Sequence, residues 1–283
     1  MLEQELSIHP TSAVDPAATI GPGTTIGPFC FIGPDVVIGR DCIVHNHVTL
    51  IGDTRIGDRC TFFPQCVIGA IPQDMKYRGE RTRLMIGNDN TFREQCTAHP
   101  GTTGGGGVTR VGHHNLLMAG VHVGHDVTIG NRCILANLCL LAGHVVLEDR
   151  VVIGGHVGIH HFVTVGRYAM VAGMTKITAD VPPFMTVAGT RTARQEVRMV
   201  NGVGLKRHDF TEEQIRNLKH AYMRLFSRRA RASGVPMIQT IERIKREDSD
   251  ENVLYLCDFL LRSFECGRKG RYLESLRTDR NSG

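Results

Sequence analysis

The stretch MAGVHVGHDVTIGNR, Met118 to Arg132, sets His122, His125 and Asp126 among small and apolar residues. A neutral imidazole can take up a proton at physiological pH, and an adjacent carboxylate fixes its tautomer and stabilises the imidazolium. Such a pair is the minimum equipment of a general base. More histidines gather here: of the fourteen in the chain, eight fall between His113 and His161. Asp126 and His144 share a phase in a count of sixes, three steps apart, and Gly143 stands midway between His125 and His161 at equal intervals. Those spacings bring side chains together only if the backbone itself repeats at that interval.

It does, because the chain counts in sixes. From Ile8, steps of six reach Val14, Ile20, Ile26, Ile32, Ile38, Val44, Leu50, Ile56, Phe62 and Ile68 without a miss. The count restarts at Ile86 and Phe92, weakens at Ala98, and runs again from Val111 to Ile177. A period of six fits neither an amphipathic helix nor an alternating strand. It fits a parallel β-helix in which each hexad makes one short flat side and a turn, and three such sides close a triangular coil. The residue on the beat points inward and stacks on its equivalents at the strand spacing, ~4.8 Å. Four places after the beat the residues are small, and seven of the nine cysteines share that phase, reading as small buried hydrophobes. Glycine often follows the beat, as at Gly21, Gly39 and Gly57, and is expected to serve corner conformations closed to other residues.

In such a coil His144 stacks beside Asp126, and Gly143 separates His125 from His161. His156 and His160 are expected in the same neighbourhood. A glycine there could offer a backbone N–H to a developing oxyanion, its missing side chain allowing close approach. The same histidines suit a second chemistry, zinc-assisted hydration, in which neutral imidazoles hold the metal. A third reading makes the repeats a scaffold and the histidines a solvated turn.

Two segments interrupt the count, near 69–85 and 101–110, and a solenoid expels such insertions as loops, often on its binding face. The beat stops at ITADVPPFM, where Pro182 and Pro183 mark its end. We therefore expect a β-helix over 1–190 and a helical domain over 191–283. In the latter, TEEQ at Thr211 to Gln214 is a capping-box pattern opening a helix through EEQIRNLKHAYMRLFSRRARA. SGVPMIQTIERIKRE and NVLYLCDFLLRSFE read as two more helices, which would cover the open strand edges at the coil's end.

Bulk properties narrow the setting. The 283 residues are 41% hydrophobic, enough for a packed core, and a net charge of +5 leaves room for an acidic partner. The start, MLEQELSIHP, is acidic where a signal peptide would be basic, and the longest apolar run is too short to span a bilayer. Nine cysteines without CxxC spacing suggest neither a disulfide framework nor a zinc ribbon. A cytoplasmic location is expected, with neither a membrane span nor a nucleic-acid partner.

Beyond the repeat, IHPTSA, QDMKY, NLLMAGVHVGHD, GNRCILAN, AGHV, DVPPF and NGVGLKR together resemble the UDP-N-acetylglucosamine O-acyltransferases that begin lipid A synthesis, over nearly the whole length. The resemblance implies a mainly β fold, a left-handed parallel β-helix with a C-terminal helical domain, and a homotrimer with active sites between subunits. It implies transfer of a 3-hydroxyacyl group from acyl carrier protein to the sugar 3-hydroxyl of UDP-GlcNAc. A thioester is already activated, so neither metal nor other cofactor is needed. His125 would be the general base, Asp126 its orienting partner and Gly143 the oxyanion contact. Substrate contacts implied in the same way are Gln73, Asp74, Lys76, His99, His122, His144, His160 and His161, with Asn201 and Arg207 for the nucleotide. Asn137 and Gly155 would line the acyl-donor side, and Gly173 would close the acyl groove, leaving it deep enough for a long chain. This chain departs from the family pattern at Pro100 (AHPG for His-Arg-Gly), His161 (HHF for His-Gln-Phe) and Val203, where some members carry Glu. Because these departures lie near the sugar, a related acceptor such as a 3-amino sugar is the alternative within the class. Basic segments at Arg228–Ala232 and near Lys245 offer a docking rim for an acidic carrier protein.

Overall fold

The computed structural model describes residues 5–189, 195–265 and 270–276, so the expected boundary between 190 and 191 lies outside the described residues. Short strands form three parallel sheets, the faces of a triangular coil. The first face runs from Ser7–Ile8 to Met170–Val171, the second from Ala13–Val14 to Lys176–Ile177, the third from Thr19–Ile20 to Thr164–Val165. Beat residues pair with beat residues one coil on: Ile8 with Ile26, Ile26 with Val44, Val123 with Leu141. The coil is a left-handed parallel β-helix.

Its interior is the one the count of six implies. Ile32, Leu50, Phe62, Leu117 and Leu141 are buried on the beat, and Cys42, Cys60, Cys96 and Cys139 are buried four places later. Phe62 and Phe92 stack with ring centroids 5.0 Å apart. The first beat departs from expectation, since Ile8 is 40% exposed, with no coil beneath it among the described residues.

The glycines act for a different reason from the one expected. The left-handed backbone found at most corners falls three places after the beat and is mostly occupied by other residues, among them Asp126, His144 and Phe162 at φ 60°, 63° and 64°. The glycine just after the beat is needed for clearance. A Cβ on Gly21 would sit 2.6 Å from the Gly39 carbonyl carbon on the next coil. Close approach of backbones, rather than a special φ, selects glycine there.

The insertions leave and rejoin the coil without disturbing it. Phe62 pairs with Phe92 across the first and Phe92 with Leu117 across the second, in the same register as Leu117 with Leu135 one plain coil on. Strands Arg83–Ile86 and Val108–Val111 belong to the third face, so the loops end before the expected 85 and 110. Nor does the coil stop at Pro182 and Pro183. Val181 bridges Val165, and Met185–Gly189 pairs in parallel with Met170–Val171 before turning antiparallel to Gln195–Val200.

The helices that follow are α1 (Gly202–Lys206), α2 (Glu212–Leu225), α3 (Arg228–Ala232), α4 (Met237–Glu247), α5 (Glu251–Glu265) and α6 (Tyr272–Ser275). Thr211 and Gln214 form the reciprocal capping box expected of TEEQ. The long helix expected through RRARA is broken at Ser227, whose side chain accepts from the Ala230 N–H and caps α3 separately. A second apolar core of Phe184, Leu205, Ile215, Leu218, Ile241 and Leu256 joins these helices to the coil's last turn. Polar contacts reinforce the junction: the Tyr255 hydroxyl donates to Glu148 at 2.7 Å, and the Arg167 guanidinium lies 3.7 Å from the Tyr255 ring centre. Among the described residues no helix is long and apolar enough to cross a membrane.

Candidate active site

The corner between the second and third faces collects the chemistry. Two columns run along it, one residue per coil: His125, Gly143 and His161 two places after the beat, and Asp126, His144 and Phe162 three places after it. His122 lies on the second face, in register with Thr97 and Leu140, and its Nδ1 shares a 2.9 Å hydrogen bond with the Thr97 hydroxyl.

His125 and Asp126 are 9% and 8% exposed, dry enough for their pairing to be strong. His125 Nδ1–H donates to Asp126 Oδ2 at 2.8 Å, which leaves Nε2 as the imidazole's proton acceptor. Three further contacts hold the aspartate. The Thr102 amide donates to Oδ1 at 2.8 Å and the Thr102 hydroxyl to Oδ2 at 2.6 Å, while the Asp126 amide donates to the Thr109 hydroxyl at 2.7 Å. His144 Nε2 stands 3.8 Å from Oδ2. Burial alone would raise the Asp126 carboxyl, but the bonds from His125 and Thr102 outweigh it and hold the group below its ordinary value.

Thr102, Thr109 and the glycines around them escaped the sequence reading. The run GTTGGGG is the signal that could have found them, because a Cβ on Gly105 would overlap the Asp126 carboxylate at 2.0 Å. The second insertion is a lid of backbone laid directly on the acid, which only glycine permits.

Gly143 occupies the place beside His125. A Cβ there would fall 2.4 Å from His125 Cε1 and 2.6 Å from Nε2. Its absence lets the His125 and His161 rings come within 6.3 Å across the intervening coil. Among the described residues no group accepts from the Gly143 N–H. The Gly143→Ala variant should therefore displace the His125 ring and lower kcat by roughly a hundredfold, with the melting temperature nearly unchanged. Parallel kinetics and thermal unfolding check both halves.

The first insertion docks on the same corner. His99 Nδ1–H donates to the Ala70 and Ile71 carbonyls at 3.0 and 2.9 Å, so its tautomer is fixed while its buried Nε2 has no partner among the described residues. Burial, then His99 and His125, keep His122 below the ordinary imidazole value. Burial, then His160 and His125, do the same for His161, with Asp74 of the insertion pulling weakly the other way. Both are shifted toward the neutral form. Asp74 is near enough to His161 to be felt, and its Oδ1 accepts from the Lys76 amide at 2.9 Å, while Gln73 and Lys76 themselves are exposed.

Other expected residues lie elsewhere. His156 is at the preceding corner, one strand away from His160, because it falls three places after a first-face beat. Asn137, Gly155 and Gly173 form a column at that same corner, across the second face from His125; a Cβ on Gly173 would meet the Gly155 carbonyl oxygen at 3.2 Å. Leu138, Leu140 and Met174 are exposed on or beside the face between them. Asn201 caps α1, accepting from the Gly204 N–H at 3.2 Å and donating to the Tyr168 carbonyl at 2.9 Å. Arg207 ends the same helix and is exposed.

His125, Asp126 and His144 place one ligand atom each within 4.8 Å, close enough to share a cation. The donor set does not fit an open zinc site. Both Asp126 oxygens accept short hydrogen bonds, and His125 Nδ1 is turned into the carboxylate. The hydrogen bond to Asp126 fixes the orientation of the His125 ring.

A left-handed solenoid of hexads is the architecture of the hexapeptide-repeat transferases. Residues 17–52 and 108–143 match the bacterial transferase hexapeptide model, and residues 180–268 match the second domain of UDP-N-acetylglucosamine O-acyltransferase. The acyl-[acyl-carrier-protein]--UDP-N-acetylglucosamine O-acyltransferase of Nautilia profundicola is 44% identical over 208 residues, covering 74% of this chain and 77% of its own. Among solved structures, LpxA from Acinetobacter baumannii superposes with a TM-score of 0.83 at 38% identity, covering 89% of this chain and 95% of its own. The Francisella novicida UDP-N-acetylglucosamine acyltransferase gives 0.83 at 36%, covering 89% and 90%. The chain belongs to the UDP-N-acetylglucosamine O-acyltransferase family.

Proposed function

We infer that this chain transfers a 3-hydroxyacyl group from acyl carrier protein to the 3-hydroxyl of UDP-N-acetylglucosamine, the first step of lipid A synthesis. The observation that carries the mechanism is the buried His125–Asp126–Thr102 array, with the His125 ring lying against Gly143. His125 Nε2 accepts the proton of the sugar hydroxyl as its oxygen attacks the thioester carbon. Asp126 stabilises the imidazolium, and the Gly143 N–H donates to the developing oxyanion. Collapse breaks the C–S bond, and the imidazolium returns its proton to the departing thiolate. Every proton is accounted for by one side chain.

The substrate positions are those that the family resemblance implies. Lys76, Gln73 and Asp74 on the first insertion, with His99, His122, His144, His160 and His161, surround the acceptor sugar; Asn201 and Arg207 take the nucleotide, the guanidinium matching phosphate oxygens. Asn137, Gly155 and Gly173 line the donor's side, and Leu138, Leu140 and Met174 offer the acyl chain an apolar strip. Gly173 leaves that strip open at its end, so the natural donor is long. A Gly173→Met variant is expected to shift the optimum in a donor-length series toward shorter chains. An unchanged optimum would remove Gly173 from the groove.

A homotrimer with shared sites accords with large apolar side chains left in solvent, Ile71 and Met75 on the first insertion being 71% and 95% exposed. Arg228 and Arg229 remain for an acidic carrier protein, whereas Arg231 is paired with Glu196 and Lys245 with Asp258. A carrier-protein donor places the reaction in the cytoplasm. Incubation with UDP-GlcNAc and 3-hydroxyacyl carrier protein tests the assignment: mass analysis should show the O-acylated sugar nucleotide. Product only from the 3-amino analogue would transfer the reaction to that acceptor.

A further inference from the structure

The corner between the third and first faces carries a second set of cations that the reaction scheme does not use. Arg132, Arg150 and Tyr168 stack there, one per coil, and α1 closes over them. Arg150 Nη1 donates to His208 Nδ1 at 2.7 Å, and its guanidinium carbon lies 5.7 Å from the Tyr168 ring centre. His208 meets the same ring edge-on at 5.5 Å, and Asn201 donates to the Tyr168 carbonyl. Tyr168 thus gathers Asn201, Arg150 and His208 at one point, with Arg207 the residue before His208.

The choice of partner for Arg150 is informative. Among the described residues many arginines are held by carboxylates, as Arg59 is by Asp89 and Arg83 by Asp53. Among the described residues no carboxylate pairs with Arg132, Arg150 or Arg207, and the nearby Asp149 accepts instead from Asn131. An arginine fixed by a neutral imidazole keeps its full charge and most of its five donors for something else. Phosphate oxygens are the natural acceptors for such a fork. Lys206, the other cation of α1, is taken by Glu212 at 2.6 Å.

We propose that Arg150 is a second guanidinium for the diphosphate of the sugar nucleotide, with His208 as the residue that positions it. The proposal rests on the reading of Arg207 as a nucleotide contact. Burial, then Arg150 itself, keep His208 below the ordinary imidazole value, the neutral state that an acceptor nitrogen requires.

Calorimetric titration with uridine, UMP and UDP tests this directly, without needing turnover. Arg150→Gln should weaken UDP binding by about tenfold to a hundredfold, the effect of one charged hydrogen bond, and leave uridine binding unchanged. Arg150→Lys should recover only part of the loss, since an ammonium has no fork. His208→Gln, which keeps an acceptor for Arg150, should bind UDP better than His208→Ala. Loss of UDP affinity in Arg207→Gln with none in Arg150→Gln would overturn the Arg150 assignment alone. Equal weakening of all three ligands with a lowered melting temperature would make Arg150 a structural clasp and overturn it too. Failure of the unaltered protein to bind UDP at all would overturn the nucleotide reading and this proposal together.

Discussion

The His125→Ala variant is expected to fold as the unaltered chain does and to lose about a hundredfold to ten-thousandfold in kcat, the range a positioned general base supplies. The side chain sits at a corner, outside the coil's apolar interior, so its removal opens no core cavity. What disappears is the nitrogen beside Gly143. KM for the sugar nucleotide should move little, because a base acts mainly as the proton transfers in the transition state. Retention of full turnover by a folded His125→Ala protein would shift the base to another imidazole of the corner. His144, whose Nε2 is 3.8 Å from the same carboxylate, would be examined first.

Asp126→Asn should cost nearly as much, up to about four orders of magnitude where a carboxylate fixes a catalytic tautomer in other enzymes. Three donors converge on Asp126: His125 Nδ1–H, the Thr102 amide and the Thr102 hydroxyl. An amide has one acceptor oxygen and two N–H groups, so at least one of these contacts becomes donor against donor unless a partner turns over. The threonine hydroxyl can rotate and the imidazole can change tautomer, the latter exposing an N–H where the base's lone pair should be. The same substitution changes stability against pH in a predictable direction. The folded Asp126 carboxyl lies below its unfolded value, so its contribution to stability is present above about pH 4 and is lost as pH falls through the folded value. Melting temperatures across the acid range should therefore fall less steeply for Asp126→Asn than for the unaltered protein. Parallel curves would mean that the carboxylate is no better accommodated folded than unfolded.

How far the sequence alone reaches depends on whether position follows from counting. Asp126 beside His144, and Gly143 between His125 and His161, could be read directly, because an uninterrupted coil converts an interval of three hexads into contact. The same arithmetic separates His156 from His160, since the short step between them carries the chain to a different corner; proximity in sequence misled where phase did not. Counting could not place Thr102 and Thr109 because the second insertion breaks it; the glycine run GTTGGGG is the one local sign that this backbone packs closely against another group. The break at Ser227 is of the same kind. Helical spacing continues through it, and only the hydroxyl's choice of the Ala230 amide reveals a new N-terminus. Pro182 and Pro183 end the hexads without ending the ladder, which runs on within the 1–190 expected for the β-helix.

The two excursions from the coil also show which length changes such a molecule tolerates. Each loop leaves at one corner and returns there, so the partners on either side of it pair as faithfully as partners in a plain coil. A single residue gained within a flat side would instead turn every later inward side chain toward solvent until the phase was restored. One hexad lost between Asp126 and His144 would keep the interior intact and carry His144 to a neighbouring vertex, away from the acid it adjoins. Active-site geometry in this solenoid is thus a matter of whole numbers: loops can lengthen at the vertices by any amount, while the walls admit only complete turns.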